Sequence, residues 1–175
     1  MNKNTAHCDS PAISWLKNHA PGFSALTESE YQTIMEFSLL WSLFEGEVMN
    51  TSANAGTIRN TVNAWAEKGF LGFEKFAASF KYFTARYFND GQFTGAFNGL
   101  NFRRNDNIEL VQQALSFDQS SDSDKVTTLL IIVYRLRNNL FHGIKWADSL
   151  KGQLENFEHA NATIMAAIET HRVMP

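Results

Sequence analysis

An all-α protein, folded as a compact antiparallel bundle of about five to six helices, is what this sequence predicts. Three observations lead there. Apolar residues recur at spacings of three and four, and period-two alternation is nowhere sustained. The prolines are Pro11, Pro21 and Pro175, so nothing after Pro21 interrupts the chain until its last residue. With 175 residues, 44% hydrophobic and including 15 Phe, 4 Trp and 4 Tyr, the chain can bury a substantial core and lacks the composition of a disordered one.

Each element has its own warrant. Residues 1–26 read as a loosely attached N-terminal extension with a short helix around Ala12 to His19. The main domain, residues 27–175, opens on a capping-box pattern, Thr27 followed by Glu30. A helix from about Glu28 to Asn50 follows, with Ile34, Phe37, Trp41, Phe44 and Val48 on its apolar face. A second, from about Thr57 to Lys68, ends at Gly69, a residue suited to the left-handed turn after a helix. A third spans about Phe73 to Phe88. The stretch Asn89 to Arg104 is the least regular and reads as a loop with one helical turn. A short helix is expected from Asn107 to Ser116, then a polar linker from Asp118 to Asp124. Ser121 with Asp124 starts a strong helix that runs to about His142, where Gly143 can stop it. The last helix is expected from about Trp146 to Arg172, packed antiparallel to its predecessor through a tight turn at Gly143.

Fifteen basic against 18 acidic residues give a net charge of −3, which argues against a globally basic nucleic-acid binder. The charge is unevenly spread. No Lys or Arg lies between Asn18 and Ile58, where Glu28, Glu30, Glu36, Glu45 and Glu47 fall; Arg135, Arg137, His142 and Lys145 cluster between Tyr134 and Ala147 without an acid. Cys8 is the sole cysteine, so neither an internal disulfide nor a cysteine-rich metal site can form. Met1 to Ser10 has no secretory pattern, and the longest aliphatic run, Leu129 to Val133, is far short of a membrane span. A soluble cytoplasmic protein with no membrane partner is expected.

One stretch carries chemistry: Tyr134-Arg135-Leu136-Arg137-Asn138-Asn139-Leu140-Phe141-His142-Gly143. On a helical wheel, Val126, Leu130, Val133, Leu140 and Phe141 lie within about 60° of Arg137, which places that arginine on the buried face. Asn138 and His142 follow about 100° and about 140° round, along one flank. A guanidinium keeps its charge, so a buried one needs a carboxylate or a phosphate. Glu45, on the apolar side of the first long helix near Ser38, Trp41 and Met49, is the acid expected to reach Arg137. Such a pair can be a structural tie with His142 capping a helix end, or an oriented functional arginine.

Arg137-Asn138-Asn139-Leu140-Phe141-His142 resembles the signature of HEPN domains, an Arg followed by four to six residues and then His, often with Asn straight after the Arg. The position near the end of a long late helix is similar too, and the form looks like that of small prokaryotic HEPN proteins of toxin and defence systems. The resemblance implies a HEPN-like bundle and a metal-independent endoribonuclease, active as a homodimer with both motifs facing one cleft. It implies His142 and Arg137 as catalytic, Asn138 and Glu45 as supporting, and a 2′,3′-cyclic phosphate as product. An antitoxin or nucleotidyltransferase partner is a further implication. No cofactor is called for. His7, His19, His159 and His171 show no metal-ligand spacing. Members of the family also serve as inactive scaffolds or ligand-binding modules, so a non-catalytic interaction or nucleotide-binding module is the alternative.

Weaker signals complete the reading. Arg103-Arg104, after Phe93, Phe97 and Phe102, can contact RNA phosphate beside stacked bases, or the rings can simply pin a long connection onto the bundle. Arg135 and Lys145, flanking the motif, are further RNA-backbone candidates or else solvated surface charge. Trp41 and Trp65 read as core or dimer-interface residues and His159 as a surface residue. Gly91, Gly95 and Gly99 lack the Lys-Ser/Thr ending of a phosphate loop.

Overall fold

The structure is a computed structural model that describes residues 9–117, 119–142 and 150–174. Among these residues the chain forms α1 (Pro11–His19), α2 (Glu28–Glu47), α3 (Ala55–Glu67), α4 (Ala77–Tyr87), β1 (Phe88–Asn89), β2 (Gln92–Phe93), α5 (Gly95–Asn98), α6 (Ile108–Ser116), α7 (Asp122–Phe141) and α8 (Leu154–Arg172). The all-α class holds. The helices outnumber the expected five or six because α1 and α5 are short additions to a bundle of α2, α3, α4, α6, α7 and α8.

Local chemistry sets the helix starts. The Thr27 side chain accepts the Glu30 N–H while Glu30 accepts the Thr27 N–H, the reciprocal box read from the sequence. Asn54 and Thr57 make a second such box at α3, which therefore starts two residues earlier than its periodicity suggests. Gly69 follows α3 with φ +75°. Ser121 caps α7 by accepting the Asp124 N–H, and Asp122 and Asp124 place negative charge in its first turn.

A small antiparallel ribbon, Phe88 opposite Phe93 and Asn89 opposite Gln92, opens the loop expected between Asn89 and Arg104, with Phe88 leaving the expected third helix, which ends at Tyr87. Its two turn residues, Asp90 and Gly91, both have positive φ, 49° and 76°, as a two-residue hairpin with the right twist requires. The expected helical turn is α5.

Helix α7 is the centre of the molecule. Every residue from Val126 to Val133 is buried, because α3, α4, α6 and α8 all pack around it. The surrounding core includes Phe37, Phe44, Ile58, Trp65, Phe83 and Phe157. Helix α8 lies chiefly along α2 and secondarily against α7 and α4. It begins at Leu154, so the expected last helix is corrected over Leu150 to Gln153, which lie before it. Gly143, Lys145 and Trp146 lie outside the described residues.

The N-terminal extension is more than loosely attached. Ile13, Phe23 and Leu26 join the core, and Phe23 and Tyr31 stack at 5.8 Å. No helix among the described residues is long and apolar enough to cross a membrane.

Candidate functional site

The C-terminal turn of α7 meets the C-terminal half of α2. Burial of the α7 core fixes the rotation of its last turn, and that rotation carries Arg137 toward α2. Its Nη2 donates to Glu45 Oε2 at 3.4 Å, and Nη1 donates to the Asn138 side-chain oxygen at 3.1 Å. Glu45 is held from its own helix: the Trp41 Nε1–H donates to the same Oε2 at 2.9 Å, across one helical turn. The expected Glu45–Arg137 pairing is therefore present.

Two aromatic rings complete the setting. The guanidinium carbon lies 5.6 Å from the centre of Trp41 and 5.4 Å from that of Phe141, both within cation–π range. Arg137 and Glu45 side chains remain 28% and 25% exposed, so the pair is reachable from solvent. Arg137 Nε is buried without a hydrogen-bond partner among the described residues. Asn138 is buried, and His142 is exposed at the helix end, its backbone N–H donating to the Asn138 carbonyl at 3.0 Å. The arrangement places a half-buried, oriented guanidinium and an accessible imidazole on the final turn of one helix.

Phe141 departs from expectation. It shares the wheel sector of Arg137 yet is 55% exposed. It lines an apolar cavity of about 250 Å³ with Ile34, Met35, Ser38 and Leu140. Neither ring contact was drawn from the sequence, although Trp41 precedes Glu45 by four and Phe141 follows Arg137 by four, the spacing of helix-face neighbours.

Arg135 requires a correction. Its expected surface position is replaced by near-complete burial, at 2% exposure. Its Nη1 pairs with Asp106 at 3.1 Å, Nε donates to the Leu100 carbonyl at 3.1 Å and Nη2 to the Asn101 carbonyl at 2.6 Å. Desolvation pulls its pKa down and Asp106 opposes that shift. The physical reason is that the 99–106 segment covers this side of α7, so an arginine off its main apolar face is still interior. Arg135 also stands at a permitted spacing before His142, but its guanidinium is committed to the 99–106 segment, and Arg137 is the one left partly open.

Arg103 and Arg104 are exposed, on the far side of that segment. Lys145 lies outside the described residues. His159, expected at the surface, is half-buried: it stacks on Tyr82 at 4.2 Å and its Nδ1 lies 3.3 Å from Ser79 Oγ. Trp41 and Trp65 are both core residues. No group of three or more His, Cys, Asp or Glu suited to a metal ion occurs among the described residues. Comparisons with protein-family models, with curated proteins and with solved structures find no match for this chain.

Proposed function

We propose that the protein is a HEPN-like, metal-independent endoribonuclease of toxin or defence type, working in the cytoplasm as a homodimer whose two motifs share a cleft. The observation that carries this reading is the last turn of α7, where Arg137 is oriented by Glu45 and Asn138 yet open to solvent and His142 is exposed. In the proposed reaction the ribose 2′-oxygen attacks the adjacent phosphorus as its proton leaves to a base. The P–O5′ bond breaks, and the departing oxygen takes up a proton. The products are a 2′,3′-cyclic phosphate and a 5′-hydroxyl, and no co-reactant is consumed.

His142 supplies one of those proton transfers, imidazole being the side chain suited to proton exchange near neutrality. A second copy in the dimer can supply the other. Arg137 offsets the extra charge on the pentavalent phosphorus. Glu45 keeps the guanidinium aimed, and Asn138 holds its other edge. An antitoxin or nucleotidyltransferase partner fits this reading as a regulator.

A second reading has a specific support. The charge of Arg137 is already met by Glu45, and two aromatic rings within cation–π range make the cluster resemble a structural tie. On that reading the protein is a non-catalytic interaction or nucleotide-binding module.

The test is incubation of the purified protein with tRNA and mixed single-stranded RNA in EDTA, beside His142→Ala. Cleavage with 2′,3′-cyclic phosphate ends by the wild type, with at least a hundred-fold loss in the variant and an unchanged melting temperature, is expected. Equal cleavage by both proteins, or cleavage that needs added metal, rejects the ribonuclease assignment. Absence of cleavage from a folded dimer favours the module.

A further inference from the structure

Away from the Arg137 turn, the opposite side of α7 holds a segment with unusual construction. Arg135 and Asn139 grip its backbone: Arg135 takes the Leu100 and Asn101 carbonyls, and the Asn139 side-chain amide donates to the Gly99 and Leu100 carbonyls at 3.1 and 3.2 Å. Asp106, paired with Arg135, turns back to accept the Arg103 N–H at 2.7 Å. Asn101 and Asn107 bracket the segment in the left-handed region, each at φ 53°. A buried ion pair adds little net stability compared with apolar packing, and its best-supported use is to specify one conformation. Here it specifies the path of a short loop.

What that loop presents is Phe102, Arg103 and Arg104. Both arginines are exposed, and neither has a carboxylate within ion-pair distance among the described residues. No acid occurs from Gly91 to Asn105, and the one that follows, Asp106, is already neutralised by Arg135. Beside the arginines runs a connected row of rings: Phe88 to Phe93 at 5.0 Å, Phe93 to Phe97 at 4.5 Å and Phe97 to Phe102 at 5.2 Å. Phe97 is buried and anchors the row, while Phe88, Phe93 and Phe102 keep part of their surface at the boundary with solvent. Exposed Asn98, Asn101 and Asn105 add uncharged donors and acceptors.

We infer that the Phe102–Arg103–Arg104 loop and its aromatic row form a docking surface for single-stranded RNA, separate from the Arg137 turn. Unpaired guanidinium groups on a fixed backbone suit phosphates, and ring faces accept bases without demanding a sequence. An acidic peptide would satisfy the arginines but make no use of the solvent-facing edges of Phe88, Phe93 and Phe102, which otherwise pack against the core. The inference rests on RNA being the protein's ligand. It gives a protein of net negative charge a local means of holding its substrate, with the strand secured at one site while another part reaches the α7 end.

The test uses the full chain and a fluorescein-labelled 2′-O-methyl oligouridylate, whose blocked 2′-oxygen prevents cleavage, with binding read by anisotropy over a salt series. Arg103→Ala/Arg104→Ala is expected to weaken binding about ten-fold or more and to lower the salt slope by about 1.4, the value for two single-strand phosphate contacts. Phe102→Leu, which keeps the apolar packing, is expected to weaken binding roughly five-fold with the salt slope unchanged. Unchanged melting temperatures show that the fold is intact. No binding by the wild type, equal binding by the double variant, or displacement by polyglutamate as readily as by RNA overturns the inference. Cleavage is scored separately: salt-dependent binding lost in the double variant from a protein that never cleaves supports the docking surface and rejects the nuclease, whereas cleavage with binding indifferent to Arg103 and Arg104 does the reverse.

Discussion

Two arginines separated by one residue do opposite work in this molecule. Arg135 is interior and tied to Asp106 and two carbonyls, whereas Arg137 is only partly covered and shared among Glu45, Asn138 and two rings. Removing Asp106 strands a buried cation, and such a loss costs about 3–5 kcal/mol. Asp106→Ala should therefore lower the urea midpoint strongly, and Arg137→Ala, whose partner can be rehydrated, should cost about 1 kcal/mol. Equal midpoints for the two variants would contradict this ranking. The pairing of Arg137 with Glu45 was legible from helix geometry, since both apolar faces are recorded in the sequence. The burial of Arg135 was not, because the wheel of one helix carries no record of how many neighbours surround it. Nor does any local pattern connect it to Asp106, which lies in a different element.

At the scale of elements, the start of α2 does more than cap a helix. Glu30 accepts the Thr27 N–H with one oxygen and, with the other, the Gly152 N–H at 2.7 Å, joining the head of α2 to the approach to α8. These backbone donors hold its carboxyl below the usual glutamate range. A lowered folded-state pKa contributes stability that is full above the unfolded value, about 4.3, and is lost as pH falls through the folded value. The melting temperature should fall with acidification in that range, and Glu30→Gln should flatten that part of the profile. A variant with the wild-type acid dependence would assign the effect elsewhere. The capping half of this device was read directly from Thr27 and Glu30; its contact with Gly152 spans most of the chain and leaves no local trace. The ribbon around Asp90-Gly91 was missed for another reason. Two-residue strands are too short to show alternation, so the turn dipeptide between aromatic residues was the only usable signal.

The whole molecule leaves one uneven surface. Met35, Leu39 and Leu43 recur every fourth residue along the outside of α2, and Leu39 is 73% exposed. This row borders the cavity shared by Met35 and Phe141. If the proposed homodimer buries it, Leu39→Glu should shift sedimentation toward the monomer without lowering the thermal midpoint of the dilute protein; unchanged mass at high concentration would place any dimer contact elsewhere. The fold class was legible because helical periodicity is written into almost every element, whereas the order of packing is a property of the assembled chain. That packing has a consequence for exchange with heavy water. With Val126 to Val133 enclosed on every side, the amides of central α7 have no local route to solvent and should exchange only when the entire bundle opens. Their protection therefore measures global stability, while the exposed end at Phe141 and His142 can fray independently. Arg137 and His142, proposed to act on the phosphodiester, thus sit at the boundary between the slowest- and fastest-exchanging parts of a single helix.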